Sequence, residues 1–280
     1  MKEENRLMKE ISLEEMRQLQ LEMLEYIDKV CRDNGIEYSL AGGSLLGVVR
    51  HQGFIPWDDD VDLMMTRDNY EKFVKVALNR GESNYSLSYY KERPAYFPYI
   101  KMYDHRTLLK SKVSNLVRGT GIFTDIFPID ILPDDEMEFK KFHRKVFLDT
   151  RRLAASNTRR FDYASGPDWK NVIFASIAYL PWHIKYYGKY KEISEKMDKF
   201  MSQYNNTDNK YSGFASSRYR TRERFPREIY NEYEDVIFEN ITVRKIVDHD
   251  TYLSKLYGDY MVIPKESEQV NHDYYKYEWK

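Results

Sequence analysis

Apolar and polar residues follow two alternating patterns along the first half of the chain. From Leu13 to Val30 apolar side chains recur every three or four positions, after a Ser12/Glu15 pair that is typical of a helix start. Residues 36–41 alternate apolar and polar side chains, as a strand does. Val61–Met65 predicts a second strand, and Arg67–Asn79 predicts the helix after it. Further strands are predicted at Tyr85–Tyr90, Tyr96–Tyr103 and Gly121–Ile131. This alternation favours an α/β (α+β) fold with a mixed sheet.

From Pro133 onward the pattern is mostly helical. The predicted helices are Asp134 to about Ser156, Trp169–Tyr187 with a break near Pro181, and Lys189–Tyr204. A hairpin of Asp235–Phe238 with Ile241–Val247 and a helix from Asp248 to Tyr257, ended by Gly258, are predicted after them. We therefore expect a core with an N-terminal helix over residues 12–132. Residues 133–280 are expected to form a mostly helical part that packs with the core as one composite unit.

Charge and cysteine content narrow the class of protein. The 280 residues carry a formal net charge of -1, so the balance gives no reason to expect binding to nucleic acid. Cys31 is the one cysteine, which excludes an intrachain disulfide and agrees with a reducing cytoplasm. The longest apolar stretch, Val172 to Trp182, is too short to span a bilayer, and the N-terminus lacks the apolar run of a secretory signal. We expect a cytoplasmic protein.

The candidate chemistry begins with an acidic cluster of Asp58, Asp59, Asp60 and Asp62. Residues two apart on a strand point to the same face, so Asp60 and Asp62 project together. Crowded carboxylates repel one another, and a divalent cation would offset that repulsion. Magnesium binds one or two carboxylates and completes its shell with phosphate oxygens and water. The alternative, a solvated acidic turn that caps the next helix, stays open.

A glycine pair lies a short loop upstream of these acids. Gly42, Gly43 and Ser44 interrupt the predicted strand before a short segment, Leu45–Arg50, that we expect to be helical. Glycines let a backbone approach a phosphate closely, and the start of a helix supplies free amide groups. An anion site next to a cation site indicates phosphate chemistry.

The whole run from residue 41 to 62, AGGSLLGVVRHQGFIPWDDDVD, resembles the signature of the LicD family, the phosphocholine transferases related to fukutin-type enzymes. The run DIFPID at residues 125–130, the run YGDYM at 257–261, and His272 resemble later landmarks of the family. The likeness covers most of the chain, and residues from about 133 to 234 match least well.

This resemblance implies a nucleotidyltransferase-like mixed sheet core with helical elaborations at both ends. It implies that residues 12–132 form the catalytic core and that residues 133–280 complete the acceptor side. It implies a glycine/serine turn at Gly43 and Ser44, and catalytic, metal-binding acids at Asp60, Asp62 and a third position. Asp125 is the expected third acid because it lies within a predicted strand. Asp130 is its rival, and we expect Asp130 to cap a turn before Pro133.

The family's usual reaction moves phosphocholine from CDP-choline to a hydroxyl of a cell-surface glycan precursor, of teichoic acid or lipopolysaccharide type, and releases CMP. Magnesium, or manganese in its place, would assist. Transfer of another phospho-sugar or phospho-polyol from a nucleotide donor is the nearest alternative. A metal-dependent glycosyltransferase fits the glycine turn poorly, and a catalytically silent choline- or nucleotide-binding module is the alternative from a different class.

Several further side chains are candidates for substrate contacts. Arg50 and Lys101 could bind phosphate, or each could form a surface salt bridge. His51 and His272 could transfer protons or satisfy structural hydrogen bonds, and the family position favours His272. Trp57 could contribute a ring to a cage around the choline ammonium, or it could anchor its loop on the core.

One segment has the composition of a membrane interface. Residues 169–190 mix apolar side chains with tryptophan, tyrosine and lysine. If the acceptor is lipid-linked, peripheral contact with a membrane would help the reaction. The alternative is a pair of packed core helices that separate at Pro181. The sequence does not indicate an oligomeric state.

Overall fold

The computed structural model describes residues 9–111, 119–158, 169–269 and 275–280. The first half contains α1 (Leu13–Asp33), β1 (Ser39–Leu40), α2 (Gly42–His51), β2 (Asp62–Thr66), α3 (Arg67–Asn79), β3 (Tyr85–Ser88), β4 (Ile100–Asp104), β5 (Thr107–Ser111) and β6 (Phe123–Leu132). The second half contains α4 (Glu136–Ala155), α5 (Trp169–Tyr186), α6 (Tyr190–Met201), β7 (Tyr211–Gly213), β8 (Phe225–Pro226), β9 (Tyr233–Phe238), β10 (Ile241–Ile246), α7 (His249–Tyr257) and β11 (Tyr275–Trp279). The α/β class predicted from the sequence is confirmed.

A mixed sheet with the order β1-β2-β6-β4-β3 forms the centre of the fold. Strands β2 and β6 are parallel, whereas the other neighbours on this path are antiparallel. Strand β6 is ten residues long, and all but two of its residues are buried. Its far end continues into a ladder with β7 and β8. Because β6 pairs with β2, β4 and β7, it carries the side chains that these strands bring together.

Local sequence signals explain where several elements begin and end. The Ser12 hydroxyl accepts a hydrogen bond from the Glu15 backbone N–H at 3.2 Å, so the predicted cap of α1 is present. Gly258, with a φ of 72°, follows α7 and ends it as predicted. The hairpin of β9 and β10 is also confirmed, with Ile241 opposite Phe238.

Two hydrophobic clusters hold the elements together. The larger surrounds the central sheet and contains residues from far along the chain, including Phe238 of β9 and Leu253 of α7. The smaller lies between α4, α6 and the end of β6, where Phe142, Met197 and Leu132 meet. The larger cluster thus draws on residues on both sides of position 132, and the predicted division at that point stays a prediction.

Some predicted boundaries are wrong. The strand expected over residues 36–41 is reduced to Ser39–Leu40, and α2 begins at Gly42 rather than at Leu45. The glycines therefore form the first turn of the helix, because Gly42 can adopt a φ of 50° there. Strands β5, β7, β8 and β11 were not predicted. They are short, and their partners are distant in the sequence, so local patterns carry little signal for them.

Two further corrections concern Pro181 and Asp130. Helix α5 runs through Pro181 without the expected break, since a proline removes one backbone donor but leaves the neighbouring helical bonds in place. Several α5 side chains are exposed, so the packed-helix alternative is wrong for the part whose side chains the structure describes. Asp130 lies inside β6 and binds Arg67, so it does not cap a turn. No helix in the described part of the chain is long and apolar enough to cross a membrane.

Candidate active site

The start of α2 is fastened to the start of β2 by two hydrogen bonds. The Ala41 N–H donates to the Asp62 carbonyl at 2.8 Å, and the Asp62 N–H donates to the Ser44 hydroxyl at 2.9 Å. Ser44 is buried, and its hydroxyl lies between the helix and the strand. The predicted anion site and the predicted cation site are therefore neighbours in the structure.

The two glycines leave room for carboxylates at this helix end. A Cβ on Gly43 would lie 2.6 Å from Asp58 Oδ2, which is closer than real contacts allow. A Cβ on Gly42 would lie 3.4 Å from Asp62 Oδ2 and 3.7 Å from the Tyr257 hydroxyl. Because Gly43 has no side chain, Asp58 can approach the first turn of α2, where backbone amides point outward.

The acids that the sequence singled out lie close together. Asp62 is paired in register with Asp125 across the parallel strands β2 and β6. Burial, Asp60 and Asp125 raise the pKa of the Asp62 carboxyl well above its ordinary value. Burial, followed by the neighbouring Asp60, raises the pKa of Asp58 to about 7. Burial is thus the largest cause of both shifts, and the neighbouring carboxylates add to it.

One lysine partly neutralises the group. Lys101 on β4 is in register with Asp125, and its ammonium donates to both Asp125 oxygens at 2.5 and 2.7 Å. Lys101 is only 4% exposed and lies 3.9 Å from the centre of the Phe123 ring. Burial raises the pKa of Asp125 despite the opposing effect of Lys101. Lys101 therefore forms a buried salt bridge with an acid of the site and not one on the surface, and its contact with phosphate stays a prediction.

The acidic cluster offers a metal ion a small set of oxygen donors. Among the residues that the structure describes, no three or more histidine, cysteine, aspartate or glutamate side chains are grouped in a way that could hold a metal. Both oxygens of Asp125 accept from Lys101, whereas Asp60 and Asp62 line an open cavity. Two carboxylates are enough for magnesium when a phosphate supplies further oxygens, so Asp60 and Asp62 fit that ion.

The cavity beside the acids has a volume of about 540 Å³. Gly42, Gly43, Asp58, Asp60 and Asp62 form part of its wall. The rest of the wall is rich in aromatic residues, namely Trp57, Phe97, Tyr99, Phe127, Phe214, Tyr219, Tyr252, Tyr257 and Tyr260. The site can therefore receive a ligand with a phosphate at one place and an apolar or cationic group at another.

Arg50 and Trp57 both line this cavity and contact each other. The Arg50 guanidinium lies 5.9 Å from the centre of the Trp57 ring and donates to the backbone carbonyl of Tyr260 at 2.8 Å. His51 accepts a hydrogen bond from Arg50 Nε at 2.9 Å, and burial lowers its pKa, which fits the structural role of His51. His272, the other histidine candidate, lies outside the described residues.

Other site residues were not predicted. Arg17 of α1 donates from Nη2 to the carbonyls of Ile55, Pro56 and Asp58, at 3.2, 3.0 and 2.8 Å. Gln20 donates to the Asp59 carbonyl at 2.9 Å. These two side chains hold the acidic loop in place. Nothing in their sequence neighbourhood distinguishes them from ordinary polar positions of an amphipathic helix.

The second half of the chain also contributes residues to the cavity wall. Tyr257 belongs to the landmark at residues 257–261, which is the one signal that could have found it. Its hydroxyl accepts from the Tyr219 hydroxyl at 2.7 Å. Glu223 and Tyr252 have no comparable motif, because their place depends on how α7 packs against α2.

With this geometry established, comparisons with known proteins identify the domain. Residues 35–147 match the family model for the LicD/FKTN/FKRP nucleotidyltransferase domain. This stretch of the chain is similar to the LicD family domain. The match includes the glycines, all four acids of the cluster, Lys101 and Asp125. The resemblance stated from the run at residues 41–62 is confirmed.

Individual relatives extend the LicD match beyond this domain. The lipopolysaccharide cholinephosphotransferase LicD of Haemophilus influenzae is 28% identical over 272 residues, which cover 95% of this chain and 97% of that protein. The ribitol 5-phosphate transferase FKRP of Homo sapiens is 52% identical over 42 residues, or 15% of this chain and 8% of FKRP. An uncharacterized protein of Rickettsia prowazekii, RP689, is 38% identical over 56 residues, which are 20% of this chain and 21% of that protein. The two relatives with named activities transfer phosphorylated groups, in agreement with the predicted enzyme class.

Proposed function

We propose that this protein is a metal-dependent phosphotransferase that moves phosphocholine from CDP-choline to a hydroxyl of a cell-surface glycan precursor, of lipopolysaccharide or teichoic acid type, and releases CMP. The observation that carries the proposal is the juxtaposition of Asp60 and Asp62 with the glycine-rich start of α2 in one aromatic cavity. The similarity to the Haemophilus protein over nearly the full length of both chains supports the choice of phosphocholine.

In this proposal the donor's diphosphate lies at the start of α2. Backbone amides in the first turn, at Gly43 and Ser44, point toward the anion and bring the positive end of the helix dipole to it. Arg50 in the cavity wall adds a positive charge near the phosphates. Asp60 and Asp62 would hold a magnesium or manganese ion, which would neutralise the diphosphate when bound.

The transfer forms one bond and breaks another. The acceptor's hydroxyl oxygen bonds to the phosphorus that carries choline, and the bond from that phosphorus to the oxygen bridging it to CMP breaks. CMP leaves with the electron pair, and the hydroxyl proton goes to a carboxylate, which we assign to Asp125. Lys101 holds that carboxylate in place through both oxygens. The protein's contribution is mainly positioning and charge stabilisation.

In this proposal the protein also contacts a membrane, on the side where the acceptor binds. Apolar side chains on one face of α5 are largely exposed, at 44–75% of their surface, namely Ile173, Phe174, Ile177, Leu180 and Ile184. Lys185 and Lys189 are exposed beside this face, and positive charge favours an anionic lipid surface. A cytoplasmic enzyme that docks through α5 at the inner membrane face would reach a lipid-linked glycan. His272 stays a predicted substrate contact.

The transfer of a phospho-polyol is the alternative that the FKRP match favours. A panel of nucleotide donors distinguishes phosphocholine transfer from phospho-polyol transfer. Purified protein is mixed with CDP-choline, CDP-ribitol or CDP-glycerol, magnesium, and a preparation of glycan precursors, and the CMP released is measured. We expect CMP from CDP-choline and at most trace amounts from the other two donors. Release from CDP-ribitol alone would keep the mechanism and overturn the choline assignment. Binding of CDP-choline without release from any donor would favour a silent binding module.

A further inference from the structure

Glu223 is a buried carboxylate that the proposed transfer does not use. Glu223 is 3% exposed and lines the same cavity as Asp60 and Asp62. Its Oε2 accepts from the Ser217 hydroxyl at 2.8 Å, and the Tyr252 hydroxyl also hydrogen-bonds it. Within the described part of the chain, no lysine, arginine or histidine nitrogen lies within ion-pair distance of Glu223. A buried anion without a cation is costly to fold around.

The fold holds Glu223 at this place from two sides. A Cβ on Gly213 of β7 would lie 2.5 Å from the Glu223 carbonyl oxygen, so glycine is needed for the backbone to approach. Tyr252 of α7 accepts a hydrogen bond from the Gly42 N–H at 3.4 Å, and its ring stacks on Phe225 at 4.8 Å. Tyr252 therefore joins the buried carboxylate to the helix end at which we place the donor's phosphates.

Lys255, whose charge acts on Glu223, donates its hydrogen bond elsewhere. The Lys255 ammonium donates to the Arg224 carbonyl and lies 5.3 Å from the centre of the Phe225 ring. The cavity wall around Glu223 instead offers aromatic side chains, among them Tyr219, Tyr252 and Tyr257. Since two hydroxyls already donate to the carboxylate, a ligand there has to bring positive charge and does not have to bring hydrogen-bond donors. A quaternary ammonium has this property, and ring faces attract it.

We propose that Glu223 and the tyrosines beside it form a subsite for a quaternary ammonium group and select the head group of the donor. This inference rests on the proposed function, in which the donor's diphosphate lies on the opposite side of Tyr252 from Glu223. It adds a specificity determinant in the second half of the chain, outside the matched LicD domain at residues 35–147. A neutral polyol would leave the buried charge uncompensated, so the subsite also accounts for discrimination against the alternative donors.

Protonation should control this subsite. Burial raises the pKa of Glu223 to about 7, while Ser217, Tyr252 and Lys255 oppose the rise. Three more tyrosine hydroxyls interact with the carboxylate, those of Tyr219, Tyr230 and Tyr257. A cation binds the ionised form, so its advantage over an uncharged ligand should fall as pH decreases through about 7.

The test measures how much the ligand's charge matters. CDP-choline is compared with its uncharged analogue, which carries a tert-butyl group in place of trimethylammonium, and both are titrated calorimetrically into the full chain. At pH 8 we expect the wild type to prefer the charged ligand about tenfold. Glu223→Gln keeps the shape of the side chain and should abolish most of that preference, with little change in CMP affinity. The exposed Glu228→Gln is the matched control and should behave as wild type.

A second test uses the pH dependence of the wild-type protein. Its preference for the charged ligand should shrink several-fold between pH 8 and pH 6, and Glu223→Gln should show no such slope. Equal affinity of the wild type for both ligands at pH 8 would overturn the subsite, as would a Glu223→Gln preference equal to that of Glu228→Gln. If either of these results is found while CMP is still released from CDP-choline, the subsite is wrong and the proposed transferase function stands. A charge preference without CMP release would leave the subsite and remove the transfer.

Discussion

Strand β6 carries two buried aspartates, and the fold neutralises them differently. Asp130 accepts from Arg67 Nε and Nη2 at 2.7 and 2.6 Å and from Asn205 at 2.8 Å. Asp125 lies five residues earlier. It accepts a hydrogen bond from Lys101 and is in register with a second aspartate, Asp62. Asp130 sits in a complete ion pair, whereas Asp125 and the nearby Asp58 and Asp62 have raised pKa values, chiefly because they are buried.

The difference separates structural acids from functional ones. A complete buried pair needs nothing from solution, and removing one partner leaves a charge stranded. An incomplete cluster beside a cavity is tolerated when a ligand or metal completes it, which is why perturbed acids mark active sites. Glu223 follows the second pattern, since hydroxyls donate to it and no cation among the described residues forms an ion pair with it.

The largest expected effect comes from Asp62→Asn. Removing this carboxylate should lower CMP release by at least about 10²–10³-fold, the size seen when a preorganised charge-stabilising group is lost. The thermal unfolding temperature should stay the same or rise, because the change relieves repulsion among the acids. Turnover close to that of the wild type would remove Asp62 from the mechanism.

Replacing the paired aspartate, Asp130, with asparagine should change stability and not activity. Asp130→Asn leaves Arg67 with Asp198 alone, and we expect a loss of about 3 kcal/mol in the free energy of unfolding. Activity per folded molecule should change little. Urea unfolding measures the first quantity, and CMP release normalised to folded protein measures the second. A stable Asp130→Asn protein with little activity would reverse the distinction between the two aspartates.

A smaller effect is expected from Gly43→Ala. The new Cβ would collide with Asp58 Oδ2, so the acidic loop must shift, and turnover should fall about tenfold. Stability should be nearly unchanged, because alanine favours the helix by up to about 1 kcal/mol and offsets part of the strain. Gly81→Ala is the matched control, since a Cβ there meets nothing within 4 Å. Equal turnover in both variants would show that the close approach of Asp58 is dispensable.

The smallest effect concerns the exposed face of α5. Ile177→Ser should reduce sedimentation of the protein with anionic phospholipid vesicles a few-fold, since one apolar side chain contributes only part of the buried area. Ile237→Ser changes the same residue type at an exposed position on β9 and should have no effect. Sedimentation that is unchanged in Ile177→Ser, or reduced equally in both variants, would argue against docking through α5.

Much of the site could be predicted from local sequence because its parts are short and close together. The glycine pair and the Asp60/Asp62 pair lie within one 22-residue run. The strand predicted over residues 61–65 contains Asp62, whereas Asp60 precedes β2, so strand alternation does not describe the pair. Asp125 was found because it lies in a long apolar strand. Strand pairing then puts it beside Asp62, which sequence spacing alone does not reveal.

The rest depends on contacts between distant segments. Lys101 was expected to bind phosphate or to form a surface salt bridge, and only its register with Asp125 shows which acid it pairs with and that the pair is buried. Arg17 and Glu223 lie far from the acidic run in sequence, and neither has a local pattern that points to the site. Asp130 was expected in a turn because Pro133 follows it, yet β6 continues through it and pairs with β7.

The central claim is that the clustered acids at the cavity support transfer of phosphocholine from a nucleotide donor. Phosphorus-31 NMR of the protein with CDP-choline, magnesium and glycan precursors tests it directly, with chelator added to a parallel sample. The account predicts that the two diphosphate resonances decline together while CMP and a new phosphodiester appear in equal amounts, and that chelator stops the reaction. An unchanged donor spectrum with magnesium and acceptor present, or turnover that persists in chelator, would contradict it.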